Sequence, residues 1–201
     1  LAYILLFSRK IIDKHNTVKN NEWKKIKSFT LKEKSVGIIG LGHIGKVLAR
    51  KACALGMKVY GHDIIKPSLI DDIDITQTSL KTLLERSDFI TLHCDLNNTS
   101  FKLIGEKELS LMNPNAIIIN TSRGEVIDQP ALENALKRNK IGGAALDVFE
   151  IEPLPKKSIL RKMKNVLLSP HNSNGSPKVF NKVDEASMLN LFTGLNKKNN
   201  G

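Results

Sequence analysis

Cysteine is nearly absent: Cys53 and Cys94 are the only two in 201 residues. Two cannot build a disulfide framework, and alone they cannot supply a four-ligand zinc site. That usage suits a reducing compartment, so a cytoplasmic location is the expectation. Arginine is scarce as well. Six of the 31 basic residues are Arg and the rest Lys, against 20 acidic residues, for a net charge of +11. A basic chain invites a nucleic-acid reading. Base readout and bidentate phosphate contact rest on Arg, however, and the lysines scatter from Lys10 to Lys198 without a long basic run. With Ile and Asn abundant, as an AT-rich genome encodes, the charge reads as solvated surface lysine, and no specific nucleic-acid partner is expected. No apolar run reaches the ~18 residues of a membrane span, so no membrane partner is expected either. The opening Leu1-Ala2-Tyr3-Ile4-Leu5-Leu6-Phe7 has no basic segment before it and no small-residue cleavage site after it, unlike a signal peptide. Repeats and low-complexity stretches are also missing.

What is present is ordinary globular material, 41% hydrophobic, enough for one core with pieces of a second domain. Apolar spacing predicts an amphipathic helix over 1–12, already under way at Leu1. Residues 13–34 are polar, with Trp23 as their only large anchor. Short apolar runs then predict strands at Ser35–Gly40, Lys58–Tyr60, Asp88–Leu92, Ala116–Asn120, Ala144–Val148 and Val166–Leu168. Between them, helices are expected at His43–Leu55, stopped by Gly56, at Ser79–Glu85, at Gly105–Met112 and at Pro130–Lys140, with a last helix over 177–194. The strands are apolar throughout, as strands buried on both faces are. Strictly alternating strands and helices of this kind predict an α/β fold, a Rossmann-type doubly wound parallel sheet.

One turn carries chemistry. Gly40-Leu41-Gly42-His43-Ile44-Gly45 fits G-x-G-x-x-G, follows a predicted strand and opens a predicted helix, the context that gives the pattern meaning. Gly40 permits the tight turn, Gly42 lets backbone approach a pyrophosphate, and Gly45 lets helix pack on strand. The helix N-terminus offers N–H groups and partial positive charge to phosphates, so the first-turn residues His43 and Ile44 join the candidate cofactor site. Asp63 lies 23 residues after Gly40, where a carboxylate accepts hydrogen bonds from ribose hydroxyls and repels a 2′-phosphate. NAD is therefore the expected cofactor.

Three further motifs follow strands: Asn120-Thr121-Ser122-Arg123-Gly124, then Leu146-Asp147-Val148-Phe149-Glu150-Ile151-Glu152-Pro153-Leu154, then Ser169-Pro170-His171. In an open α/β sheet such positions line the ligand crevice. With the Gly40 turn and a degenerate L-H-x-P-L segment at Leu92–Leu96, this series resembles the D-isomer-specific 2-hydroxyacid dehydrogenase family from residue 1 to about 194, in its phosphoglycerate dehydrogenase and hydroxypyruvate or glyoxylate reductase flavour. The resemblance implies that Arg123 grips the substrate carboxylate, that His171 is general acid/base, and that Glu152 orients His171. It also implies that Asp147, Thr121, Ser122 and Cys94 line the cofactor beside Arg123 and His171, with Cys94 a small packed residue rather than a reactive thiol. It implies a small 2-hydroxy or 2-oxo acid as substrate and a homodimer as the assembly. On this basis 1–34 is a crossing helix and connector from a substrate domain largely absent here, 35–176 the NAD-binding domain, and 177–201 a returning helix and tail.

Two departures stand out. Asp95 replaces the usual Pro of L-H-x-P-L, and Asn172-Ser173-Asn174-Gly175 replaces a Gly-rich stretch. A hydrolase using Ser173 or Ser176 lacks the G-x-S-x-G elbow. A metal site at His93-Cys94-Asp95 lacks a second ligand pair, so no metal is expected. The rival from another class is an NAD-binding regulator of the corepressor kind, or an inactive fragment.

Overall fold

The computed structural model describes residues 1–65, 74–173, 176 and 184–191. The chain forms two compact units, Leu1–Pro170 and His171–Gly201. In the second unit the described residues include a helix over 184–191. The helices and strands of the first unit run α1 (Ala2–Arg9), α2 (Ile11–Lys19), β1 (Ser35–Ile39), α3 (His43–Ala54), β2 (Lys58–His62), β3 (Ile75–Gln77), α4 (Leu80–Arg86), β4 (Phe89–Leu92), α5 (Glu106–Leu111), β5 (Ile117–Asn120), α6 (Gln129–Lys137), β6 (Gly143–Leu146) and β7 (Val166–Leu168).

Seven strands form one parallel sheet in the order β3-β2-β1-β4-β5-β6-β7. Side chains alternate between its faces, as the pleat requires. Val36, Ile38, Phe89, Ile117 and Ile119 pack with Ile4 of α1 and Leu48, Ala49 and Ala52 of α3. Ile39, Ile90, Leu92, Ile118 and Leu146 pack with Leu83 of α4, Leu109 of α5 and Leu132 of α6. Both faces of the central strands β1, β4, β5 and β6 are covered and every residue of these strands is buried, which is why they read as largely apolar runs.

Three expectations needed correction. The opening helix is not continuous: Lys10 adopts a left-handed conformation (φ 48°) and divides α1 from α2. Ile4 is fully buried, whereas α2 has no buried residue, so the apolar spacing of Ile11 and Ile12 does not continue the buried face of α1. Among the described residues Trp23 anchors nothing, being 93% exposed; Leu31 is the residue of that segment buried in the core. Strand β3 was not expected. It has three residues, with Ile75 half-buried and Thr76 and Gln77 exposed at the sheet edge, too short a run to signal a strand.

Register places the site. Ile39 lies opposite both His62 and Leu92, Leu92 opposite Asn120, Asn120 opposite Leu146, and Leu146 opposite Leu168. The residues that come next are Asp63, Gly40, His93, Thr121, Asp147 and Ser169. They form a row along the carboxyl edge, about 24 Å long at a strand spacing of ~4.8 Å. Chain order reverses between β1 and β4, the switch point where α/β sheets open a ligand crevice.

Candidate active site

The glycine turn sits at that switch point. Gly40 has φ 93°, and a Cβ there would lie 2.6 Å from the His93 carbonyl carbon and 2.7 Å from the Cys94 nitrogen. A Cβ on Gly45 would overlap the Gly40 carbonyl oxygen. Gly42 differs: its φ of −67° suits any residue, and a Cβ would meet nothing within 4 Å. This glycine therefore faces open space at the N-terminus of α3, whose first turn carries no acidic residue. Outward N–H groups, a positive helix end and a bare backbone floor match a pyrophosphate. The residues present thus fit a dinucleotide. His43 and Ile44 are exposed beside the floor.

Asp63 ends β2 and is held at both oxygens. Oδ2 accepts the Leu41 N–H at 2.7 Å, and Oδ1 accepts the Ile65 N–H at 3.0 Å. The carboxylate is fastened to the glycine turn itself, and each oxygen retains a second lone pair for a ribose hydroxyl. Across the switch point, His93 N–H donates to the Ile39 carbonyl at 2.7 Å, and its Nε2 lies 2.9 Å from Thr91 Oγ1. Burial, then the positive amino terminus, lowers the His93 pKa to about 4. Burial above all, with Asp95 and Asp63 adding to it, pushes the Cys94 thiol up, so Cys94 is a packed thiol rather than a thiolate nucleophile. Asp95 is exposed, and its backbone carbonyl accepts the Ser100 hydroxyl at 2.5 Å.

Asn120, only 1% exposed, organises the next turn. Its Oδ1 accepts both the N–H and the hydroxyl of Ser122, at 3.0 and 2.9 Å, and its Nδ2 donates to the Arg123 carbonyl at 2.8 Å. Thr121 and Ser122 are half-buried while the Arg123 guanidinium is exposed, donating from Nη1 to the Ser122 carbonyl at 2.7 Å. Asp147 is also 1% exposed; its N–H donates to the Asn120 carbonyl at 3.0 Å, and its Oδ1 accepts the Ser169 hydroxyl. Glu152 Oε1 accepts the Phe149 N–H at 3.0 Å.

The sheet edge thus brings Asp63, the glycine turn, Thr121 and Asp147 into one row, with Cys94 one residue beyond it and Arg123 and Glu152 on loops that leave it. His171 opens the second unit with a left-handed backbone, φ 52°. Asn120 and Ser169 were not singled out as site residues from the sequence. The available signal was a polar residue closing, or directly following, an apolar strand. Among the described residues, no three His, Cys, Asp or Glu are grouped to hold a metal ion, and no helix is long and apolar enough to cross a membrane.

Comparison with known proteins agrees with this fold. The chain is 42% identical over 201 residues to a glyoxylate reductase of Thermococcus litoralis, covering 95% of this chain and 60% of that protein. It is 40% identical over 182 residues to a D-3-phosphoglycerate dehydrogenase of Methanocaldococcus jannaschii, covering 85% of this chain and 33% of that one. The crystal structure of a D-lactate dehydrogenase from Aquifex aeolicus, complexed with NAD and lactic acid, superposes with a TM-score of 0.89 at 28% identity over 98% of this chain and 64% of that chain. The chain therefore spans 60% or less of the length of these two curated relatives. Residues 1–173 match the D-isomer specific 2-hydroxyacid dehydrogenase NAD binding domain, and the chain belongs to that family.

Proposed function

We propose that this protein takes part in NAD-dependent oxidoreduction at the C2 position of a small D-2-hydroxy or 2-oxo acid. The observation that carries the reading is the shared edge: a glycine-floored helix N-terminus at the switch point, with an exposed guanidinium beyond the end of β5. When bound, NAD supplies the hydride chemistry, and the protein supplies position and charge. Gly40, Gly42, His43, Ile44 and Gly45 hold the pyrophosphate, and Asp63 receives the adenosine ribose. Cys94, Thr121, Ser122 and Asp147 line the path toward the nicotinamide. Arg123 takes the substrate carboxylate through its planar fork. His171 moves a proton to or from the C2 oxygen, and Glu152 orients the imidazole and favours its charged form. The names of the curated relatives favour two- and three-carbon acids, with glyoxylate first.

The proposed assembly is a homodimer. Helix α2 and the segment after it expose Ile11, Ile12, Val18, Trp23 and Phe29, and a second copy of the chain is the partner that covers them.

The test is NADH oxidation by the protein with glyoxylate, hydroxypyruvate, pyruvate and 3-phosphohydroxypyruvate, alongside an NADH binding titration. Turnover that falls by about 10²–10⁴ in His171→Asn supports the enzyme. NADH binding without turnover of any acid identifies a regulator instead, and no NADH binding removes the cofactor site from this chain.

A further inference from the structure

The proposed function places Arg123 and Glu152 at one substrate, and the following inference rests on that reading. The two residues lie on different loops, one after β5 and one after β6. A displacement of ~1 Å between reacting groups costs as much as ~10²-fold in rate, so something has to fix their separation. Side chains outside every motif role assigned above do this.

Gly124 follows Arg123, and a Cβ built on it would overlap the Phe149 carbonyl and lie 2.5 Å from the Glu150 nitrogen. The two loops therefore touch backbone to backbone. Phe149 at that contact also donates its N–H to Glu152 Oε1. Beside it, Glu150 and Gln129 exchange hydrogen bonds. The Gln129 N–H donates to Glu150 Oε1 at 3.0 Å, and the Glu150 N–H donates to Gln129 Oε1 at 3.3 Å. Gln129 opens α6, five residues beyond Gly124, after Asp128 has capped that helix by accepting the Ala131 N–H at 3.1 Å. Lys102 Nζ sits between the two carboxylates, 3.1 Å from Asp128 and 4.0 Å from Glu150. A carboxylate suits this place because it receives a first-turn N–H from a helix end that favours negative charge.

We propose that Glu150 is a positioning residue: through its reciprocal bonds with Gln129 it latches the Glu152 loop to the root of the Arg123 loop. The latch sets the distance between the group that holds the substrate carboxylate and the group that orients the acid/base. Gly124 permits the approach, and Glu150 maintains it.

Glu150→Ala and Glu150→Gln in the NADH-loaded chain test this. Glu150→Ala is expected to speed amide exchange about tenfold or more, jointly in 122–126 and 149–152, the scale of one charge-assisted hydrogen bond. NADH affinity changes far less than oxalate protection, because the glycine turn and Asp63 lie further along the sheet edge. Oxalate serves as the substrate-like probe: its concentration for half-protection of Arg123 against phenylglyoxal rises about tenfold in Glu150→Ala. Glu150→Gln keeps an acceptor for the Gln129 N–H and returns both readouts most of the way to wild type. Wild-type exchange in 122–126 together with wild-type oxalate protection in Glu150→Ala overturns the latch. So does a Glu150→Gln variant as defective as the alanine, which places the effect in charge rather than in the bond. Failure of the functional reading looks different: oxalate fails to protect Arg123 even in the wild-type chain, while exchange in the two loops still follows Glu150.

Discussion

Replacing Gly42 with alanine separates the cofactor cradle from the fold. The backbone at Gly42 has φ −67°, and an added Cβ meets no atom within 4 Å. Restricting the unfolded chain favours alanine by ~0.4–1 kcal/mol. Gly42 is also the N-cap of α3, a position that prefers glycine to alanine. The two effects oppose each other, and the unliganded Tm is expected to stay within about 2 °C of wild type. The added methyl instead occupies the space where a pyrophosphate would meet backbone. Losing one to two charge-assisted hydrogen bonds at ~1.5–3 kcal/mol each weakens NADH binding about a hundredfold. The assay is thermal melting with and without NADH. At about 100 times its Kd, NADH stabilises the wild type by ~2.7 kcal/mol, or about 5–10 °C for a unit of this size. The same concentration then only about equals the Kd of Gly42→Ala and stabilises it by ~0.4 kcal/mol, about 1 °C. An undiminished NADH shift in Gly42→Ala would refute the placement of the phosphates on this turn.

Gly45→Ala is the contrasting case: its Cβ overlaps the Gly40 carbonyl, so both the unliganded Tm and NADH binding fall, by a fold cost of ~1–3 kcal/mol read from urea midpoints. His93 makes stability depend on pH. Its folded pKa of about 4 lies below the unfolded ~6.5, so the unfolded state binds the proton first. Stability is fully present above about pH 6.5 and falls as the pH drops to about 4, by roughly 3 kcal/mol; His93→Gln flattens this slope in urea titrations across that window. Arg123→Lys keeps the charge and loses the bidentate fork, so KM for the 2-oxo acid rises at least ~tenfold, checked by initial rates at saturating NADH. Trp23→Ser removes the most exposed large apolar side chain of the α2 segment, and the molar mass by light scattering shifts from dimer toward monomer at micromolar concentration.

Much of this molecule is legible in its residues because both faces of the sheet are buried. Ile117-Ile118-Ile119 has one reading, and Gly40 through Gly45 following Ile38-Ile39 has one context. The parts that escaped depend on tertiary placement. Lys10 breaks the opening helix although nothing in Ser8-Arg9-Lys10-Ile11 marks a stop. Trp23 reads as core by its size, yet it is exposed, and none of α1–α6 or β1–β7 buries it. Asn120 and Ser169 read as strand ends, and their bonding to Ser122, Arg123 and Asp147 exists only once β5, β6 and β7 stand side by side. Glu150 looks like a spacer before Glu152 until Gln129, 21 positions earlier, arrives beside it.

The row formed by Asp63, Gly40, His93, Thr121, Asp147 and Ser169 has an evolutionary consequence. Each position is counted from the register of its strand, and side chains alternate with a period of two. Deleting one residue within β5 would turn Asn120 to the opposite face and carry Thr121 off the row. The connectors at the other edge, over 55–57, 86–88, 112–116, 138–142 and 163–165, feed strands without touching the row. Insertions and deletions among relatives are therefore expected at that far edge, with the spacing between each strand and the motif after it held constant. A lineage can remodel one end of this sheet freely and alter the other only by substitution.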